Sequence, residues 1–191
     1  MAEEKDKMKE SELEALVCSA QEGDQDAFAK IYDNFIDQIY RYVYYRVQGE
    51  DVEDIVETAF LKVWENLKQY KPQQKSFSAW VFRIAHNLVI DHYRAAKDKA
   101  YEELNPDLPD LDRMHHPIKI TQDRFDNAVL KKAMVKLKKQ YHDIILYKFV
   151  NELSNSEIAE ILGKSEGSLR ILQFRALKAL KRELEDLGVT Y

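Results

Sequence analysis

Cysteine is nearly absent. Cys18 is the only one in 191 residues, which excludes a disulfide framework and any zinc site built on several thiolates. Glycine and proline are also scarce, five and four, too few to turn the chain every 8–12 residues or so as an all-β protein requires. No stretch approaches the roughly 18 uninterrupted apolar residues of a spanning helix, so no membrane insertion is expected. The opening MAEEKDKMKESE has no apolar run and is not expected to be a secretory signal. A Gly-rich phosphate loop, a hydrolase nucleophile elbow and a paired-carboxylate motif are all missing, so neither an enzyme nor a cofactor is expected. Bases are the minority charge, 29 Lys and Arg against 34 Asp and Glu for a net −5, which at face value argues against nucleic acid as a partner. Present instead is 45% aliphatic and aromatic residues, enough for a folded core. The expectation is a mostly helical protein of the reducing cytoplasm.

The net charge conceals a pattern. Residues 1–26 carry nine acids and three bases, 27–99 ten and eleven, 100–127 seven and three, and 128–191 eight and twelve. Within the second block, residues 47–67 hold six acids (Glu50, Asp51, Glu53, Asp54, Glu57, Glu65) and only Lys62. Residues 68–99 hold seven bases against Asp91 and Asp98. Two basic patches are thus separated by acidic segments, the arrangement of two nucleic-acid contacts on an acidic carrier, or of ordinary solvated helix faces.

Helical periodicity organises the rest. Phe28, Ile31, Tyr32, Phe35, Ile39, Val43 and Val47 recur at helical spacing. A second helix, starting at Gly49 or Asp51, carries Ile55, Val56, Ala59, Phe60, Val63, Trp64 and Leu67 as one stripe. After a loop containing Pro72, a third runs from about Ser78 to Lys97 with Trp80, Val81, Ile84, Ala85 and Leu88 inward. Pro106, Pro109 and Pro117 then favour an extended linker. The helical period resumes near Arg124, and another helix is expected over Tyr141 to Val150.

The strongest local signal is NSEIAEILGKSEGSLRILQFRALKALKREL. Ser154 or Asn155 can cap a short helix, with Glu157 in its first turn. Ala159 is small where a second helix must cross, and Gly163 suits a left-handed turn. Ile158, Leu162, Leu169 and Leu172 fall between the two helices, and Ser165 caps the second. This is a helix-turn-helix pattern, although Lys164 stands where an apolar residue is usual. Its second helix presents Ser168, Arg170, Gln173, Arg175 and Lys178. Arg can read guanine and Gln adenine, whereas Lys178, Lys181 and Arg182 suit phosphates.

Taken together, DVEDIVETAFLKVWENL, FSAWVFRIAHNLVIDHYR, the linker and SNSEIAEILGKSEGSLRILQFRALKALK resemble a bacterial RNA polymerase sigma factor of the extracytoplasmic-function (ECF) group, which keeps regions two and four of the sigma-70 family. The resemblance implies an all-α fold of two small helical domains joined by an acidic flexible linker. Residues 1–21 would be an acidic N-terminal extension, 22–99 region two, 100–123 the linker and 124–187 region four.

It also implies roles. Asp51, Asp54, Glu57, Leu61 and Glu65 would dock on the clamp helices of the largest polymerase subunit, with region four on the flap. The Glu57–Thr58 pair departs from the Gln-acid pair common in the family. Tyr70, Lys71, Lys75, Arg83, Asn87, Arg94 and Lys97 would melt and hold the minus-ten strand, with Phe77 and Trp80 read as core and His86 replacing a common Arg. Ser165, Ser168, Arg170, Gln173, Arg175 and Lys178 would read duplex DNA at minus thirty-five. The five acids between Glu102 and Asp112 would thread a basic channel. Core polymerase, promoter DNA and an anti-sigma protein are the implied partners. A stand-alone helix-turn-helix regulator is the alternative, and it leaves the acidic helix and linker without a task.

Three further expectations concern the remaining polar and aromatic residues. Tyr40, Tyr42, Tyr44 and Tyr45 are expected partly in core and partly at its rim. No metal site is expected at His115 and His116, which lack partners at ligand spacing. Cys18 is expected to be at least half buried beside Leu13, Leu16 and Val17.

Overall fold

The computed structural model describes residues 10–47, 51–71, 76–100 and 124–189, without the side chains of 96–100 and 124–128. Pro72, Lys75, Gly49, the linker from 101 to 123 with its acids and both histidines, and the side chains of Lys97 and Phe125 lie outside the described residues. Among those residues the chain is all helix, with α1 (Glu10–Gln21), α2 (Gln25–Tyr44), α3 (Asp51–Asn66), α4 (Phe77–Ala100), α5 (Arg124–Lys136), α6 (Lys139–Ile145), α7 (Asn155–Leu162) and α8 (Glu166–Asp186). None is long and apolar enough to cross a membrane.

The first four helices form one bundle. Asp24 caps α2, its carboxylate accepting from the amides of Asp26 and Ala27 at 2.9 and 3.1 Å. Ile31, Phe35, Ile39 and Val43, four residues apart, are fully buried along α2. They meet Val56, Ala59 and Val63 of α3 and Val81, Phe82, Ala85 and Val89 of α4 in one cluster. Helix α1, inside the stretch assigned to an acidic extension, buries Leu13, Val17 and Ala20 in that same cluster. The Gln21 amide then donates to the carbonyls of Leu67 and Tyr70 at 2.8 and 2.9 Å, fixing the α3–α4 connection.

Cys18 departs from expectation. It is exposed, because the packed stripe of α1 runs through positions 13, 17 and 20 and residue 18 lies about 100° around the helix from Val17.

In the second half, α6 widens into a π-helical turn at Leu146–Val150. That turn closes where the Asn151 side chain donates to the Leu146 carbonyl at 3.1 Å. The expected helix-turn-helix follows. Ser154 and Glu157 form a reciprocal capping box, and Gly163 takes φ 62° and ψ 38°, a left-handed conformation that glycine adopts without a Cβ penalty. Ser165 caps α8 by accepting from the Ser168 amide. Ile158, Ile161, Leu169 and Ala176 are buried and Leu162 and Leu172 partly so, while Lys164 stays exposed. Substituting Ser154→Ala removes one side of the capping box and is expected to lower the stability of this half by about 1 kcal/mol in a denaturant titration.

The two halves pack against each other. The Tyr42 and Tyr147 rings stack at 5.2 Å with 12° between planes, and Phe82 stands edge-on to both. The Tyr147 hydroxyl donates to the Tyr42 oxygen at 3.1 Å, and both hydroxyls reach His86 Nδ1, at 3.0 and 2.9 Å. Arg46 pairs with Asp143, both buried, and its guanidinium lies 5.7 Å from the Tyr42 ring centroid. Lys131 sits 3.8 Å over the Tyr44 ring, and burial lowers its pKa from the ordinary lysine value. The tyrosines therefore divide between core and rim as expected. Tyr40 and Tyr42 are buried, Tyr44 and Tyr45 half-buried.

Candidate nucleic-acid interface

Helix α3 separates two surfaces. Val52, Ile55, Val56, Ala59, Phe60 and Val63 face the bundle. Asp51, Asp54, Glu57, Leu61 and Glu65 are all exposed on the opposite side. Leu61, 57% exposed, puts an apolar contact among carboxylates, a surface complementary to a basic protein with an apolar centre.

The α3–α4 connection and α4 bear the second candidate surface. Lys71, Arg83, Asn87 and Arg94 are exposed, and Arg83 and Asn87 are one turn apart on one face. Arg94 Nη1 lies 3.5 Å from the Asp91 carboxylate. Asn87 lines a cleft of about 310 Å³ with Lys62, Asn66, Gln69, Trp80 and Asp91, a volume at the lower end of the ~300–1,000 Å³ typical of ligand pockets. The cleft combines an indole, amide groups, an ammonium and the Asp91 carboxylate; the indole and the amides are groups that can hold an unstacked base.

Tyr70 takes a different position from its basic neighbours. It is 7% exposed and lies against Phe77 and Trp80 at 5.0 and 5.2 Å. Burial, with the Glu14, Glu160 and Glu10 carboxylates adding to it, pushes its hydroxyl up to about 12. Phe77 is likewise buried and Trp80 half-buried.

His86 is placed otherwise than as a substitute for an Arg that touches DNA. It occupies the junction of the two halves, where burial first, and then Arg46, Lys139 and Arg83, lower its pKa to about 4. The neutral ring can then accept a hydrogen bond from a tyrosine hydroxyl at Nδ1. At the same junction, Ser76 donates to Glu157 at 3.1 Å, and its amide to Glu160 at 3.4 Å. Two carboxylates of α7 thus sit at the start of α4, beside the loop that carries Lys71.

On α8 the inward positions are Leu169, Leu172, Gln173, Ala176 and Leu180. Ser165, Ser168, Arg170, Arg175 and Lys178 are exposed. The Ser165 and Ser168 hydroxyls pair at 2.9 Å. Gln173 is half-buried, and its amide donates to Asn155 of α7 at 2.8 Å, so it braces the helix pair. Outward between the arginines stand Ile171 and Phe174, 58% and 70% exposed. The sequence reading passed over both. A helical wheel anchored on Leu169 and Ala176 puts them outside the apolar stripe, which was the available signal.

Comparison with known proteins fits this arrangement. Residues 31–99 match the family model for sigma-70 region 2, and residues 128–180 match that for sigma-70 region 4. The ECF RNA polymerase sigma factor BldN of Streptomyces coelicolor is 35% identical over 173 residues, which span 90% of this chain and 65% of BldN. The ECF RNA polymerase sigma factor SigW of Bacillus subtilis is 34% identical over 177 residues, 86% of this chain and 92% of SigW. Among solved structures, CnrH in complex with the cytosolic domain of CnrY shares the fold, with a TM-score of 0.69 at 22% identity, covering 92% of this chain and 98% of CnrH. With both regions matched in order, and with a relative covered almost end to end, the chain belongs to the ECF RNA polymerase sigma factors, a DNA-binding family of transcription initiation.

Proposed function

We propose that this protein is a non-catalytic specificity subunit of the cytoplasm that binds core RNA polymerase through the acidic face of α3. It places α8 on duplex minus-thirty-five DNA and the α4 face, with its cleft, on the melted minus-ten strand. The polymerase performs the chemistry. The observation that carries this reading is the separation of tasks by helix face: acids outward on α3, and between Gly167 and Arg182 of α8 five bases and no acid. A stand-alone regulator would leave the first half, with its region 2 match, without a role. The exposed apolar residues on α3 and α8 also suit an anti-sigma protein that competes with polymerase and promoter.

The test is core polymerase binding and promoter-dependent transcription with Asp54→Lys and Glu57→Lys combined. Both residues are exposed, so the core of the bundle is untouched and the change at the first turn of α3 costs only about 1 kcal/mol of stability. Two reversed charges against a basic surface, by contrast, weaken core association roughly tenfold or more. Transcription in vitro falls in parallel. If the variant co-elutes with core polymerase as tightly as the unaltered protein, α3 is not the docking helix.

A further inference from the structure

We propose that Ile171 and Phe174 determine which minus-thirty-five sequences this protein accepts, by packing on thymine methyl groups in the major groove. The inference rests on the reading of α8 as the duplex-binding helix, and it adds what that helix reads. Of the side chains that α8 presents to solvent near its capped N-terminus, these two have no polar atom to offer a base edge. Their exposures of 58% and 70% leave apolar surface free for an apolar occupant. The thymine C5-methyl is the apolar group that a base pair displays in the major groove, and side chains such as Phe contact it there.

The surroundings favour DNA over a protein as that occupant. Arg170 lies to one side of the pair and Arg175 to the other, and Lys178 and Arg182 continue the face one and two turns on. A cationic frame around an apolar centre matches a groove floor between two phosphate walls. Gln173, the side chain best suited to adenine by type, is held inward by Asn155 and leaves the centre of the face to its apolar neighbours. Ile171 and Phe174 are three residues apart, about 4.5 Å along the axis at 1.5 Å per residue. That separation is of the order of one base step, about 3.4 Å, so the two side chains can reach methyl groups on the same or neighbouring base pairs.

The experiment uses holoenzyme assembled from the full chain and core polymerase. The minus-thirty-five element is first selected from random duplexes, and each thymine in it is then replaced singly by deoxyuridine, which removes only the methyl. For the unaltered protein, replacement at one or two positions lowers affinity about fourfold each, the effect of one buried methyl. In holoenzyme carrying Phe174→Ala or Ile171→Ala, the same replacement at the matching position has no further effect. A selected element without A·T pairs overturns the proposal, as does deoxyuridine that is harmless everywhere or equally harmful in every variant. If Phe174→Ala weakens core polymerase binding while deoxyuridine changes nothing, the face docks protein and the proposal fails. Failure of the underlying reading looks different, because the unaltered holoenzyme then protects no upstream duplex element at all.

Discussion

Replacing Arg46 with methionine is expected to weaken the packing of the two halves by about 3–5 kcal/mol, the cost of leaving one partner of a buried ion pair unpaired. Arg46 follows the end of α2 and Asp143 lies on α6. Their side chains are 4% and 7% exposed, so neither charge is compensated by water in the docked form. Removing the guanidinium leaves the Asp143 carboxylate in an apolar junction beside the stacked tyrosines. The chain can relieve this only by separating its halves or by protonating the acid. The double replacement Arg46→Met with Asp143→Leu removes both charges and is expected to recover most of the loss, since a buried pair is often matched by apolar residues of similar size. Urea titrations of the three proteins at neutral pH supply the measurement. A single variant within about 0.5 kcal/mol of the unaltered protein means that the pair is solvated in solution and does not hold the halves together.

Acidification should loosen the same junction by a different route. Two imidazoles there are held below the ordinary value of 6.5. Burial lowers His142 to about 4, with Arg46 adding to it and the hydrogen bond to the Tyr45 backbone opposing it. His86 is lowered to about 4 for the reasons given above. A folded-state pKa below the unfolded one means that the unfolded chain binds more protons between the two values. The stabilisation is therefore complete above about pH 6.5, is lost as the pH falls toward 4, and changes no further below that from these groups. His142, the more buried, contributes up to about 1.4 kcal/mol per pH unit within the window. His86 is nearer solvent and contributes less. Carboxylates begin to titrate at the lower end, so the informative quantity is the difference between the unaltered protein and His142→Gln, taken between pH 7 and pH 5. The His142→Gln stability profile should be flatter. Parallel profiles would mean that the histidine does not sense the junction.

Much of the molecule could be read from sequence because its signals are local. The caps at Ser154 and Ser165, the left-handed Gly163 and most of the four-residue stripes of α2 and α3 each depend on residues within two turns of one another, and the structure has them where spacing put them. Tyr32 and Trp64, at the edges of their stripes, are instead 40% and 39% exposed. Cys18 shows the limit of such reasoning. An apolar neighbourhood in sequence does not say which side of a helix faces in, and a single position around the wheel separates Val17 from an exposed thiol.

The junction was illegible for a stronger reason. Tyr42, His86 and Tyr147 are 44 and 61 residues apart in chain order, and no period links them. Each also has an ordinary local explanation: a core aromatic, a substituted arginine, a helix interior. Their meaning arises only when the π-helical turn carrying Tyr147 meets α2. Gln173 shows a related limit, because residue type suggests adenine while the neighbouring helix offers its amide Asn155.

That junction bears on how a promoter is bridged. Minus-ten and minus-thirty-five elements are, by their names, about 25 base pairs apart, roughly 85 Å along B-form DNA at 3.4 Å per base pair. A compact chain of this length has a radius of gyration near 16 Å. With Tyr42 stacked on Tyr147, the protein is too short a ruler to touch both elements at once. On the proposed division of labour, promoter engagement by both halves requires the aromatic stack, the ion pair and the Ser76–Glu157 bond to come apart. On that same reading, the strength of the closure is a threshold that polymerase and DNA would together have to out-compete.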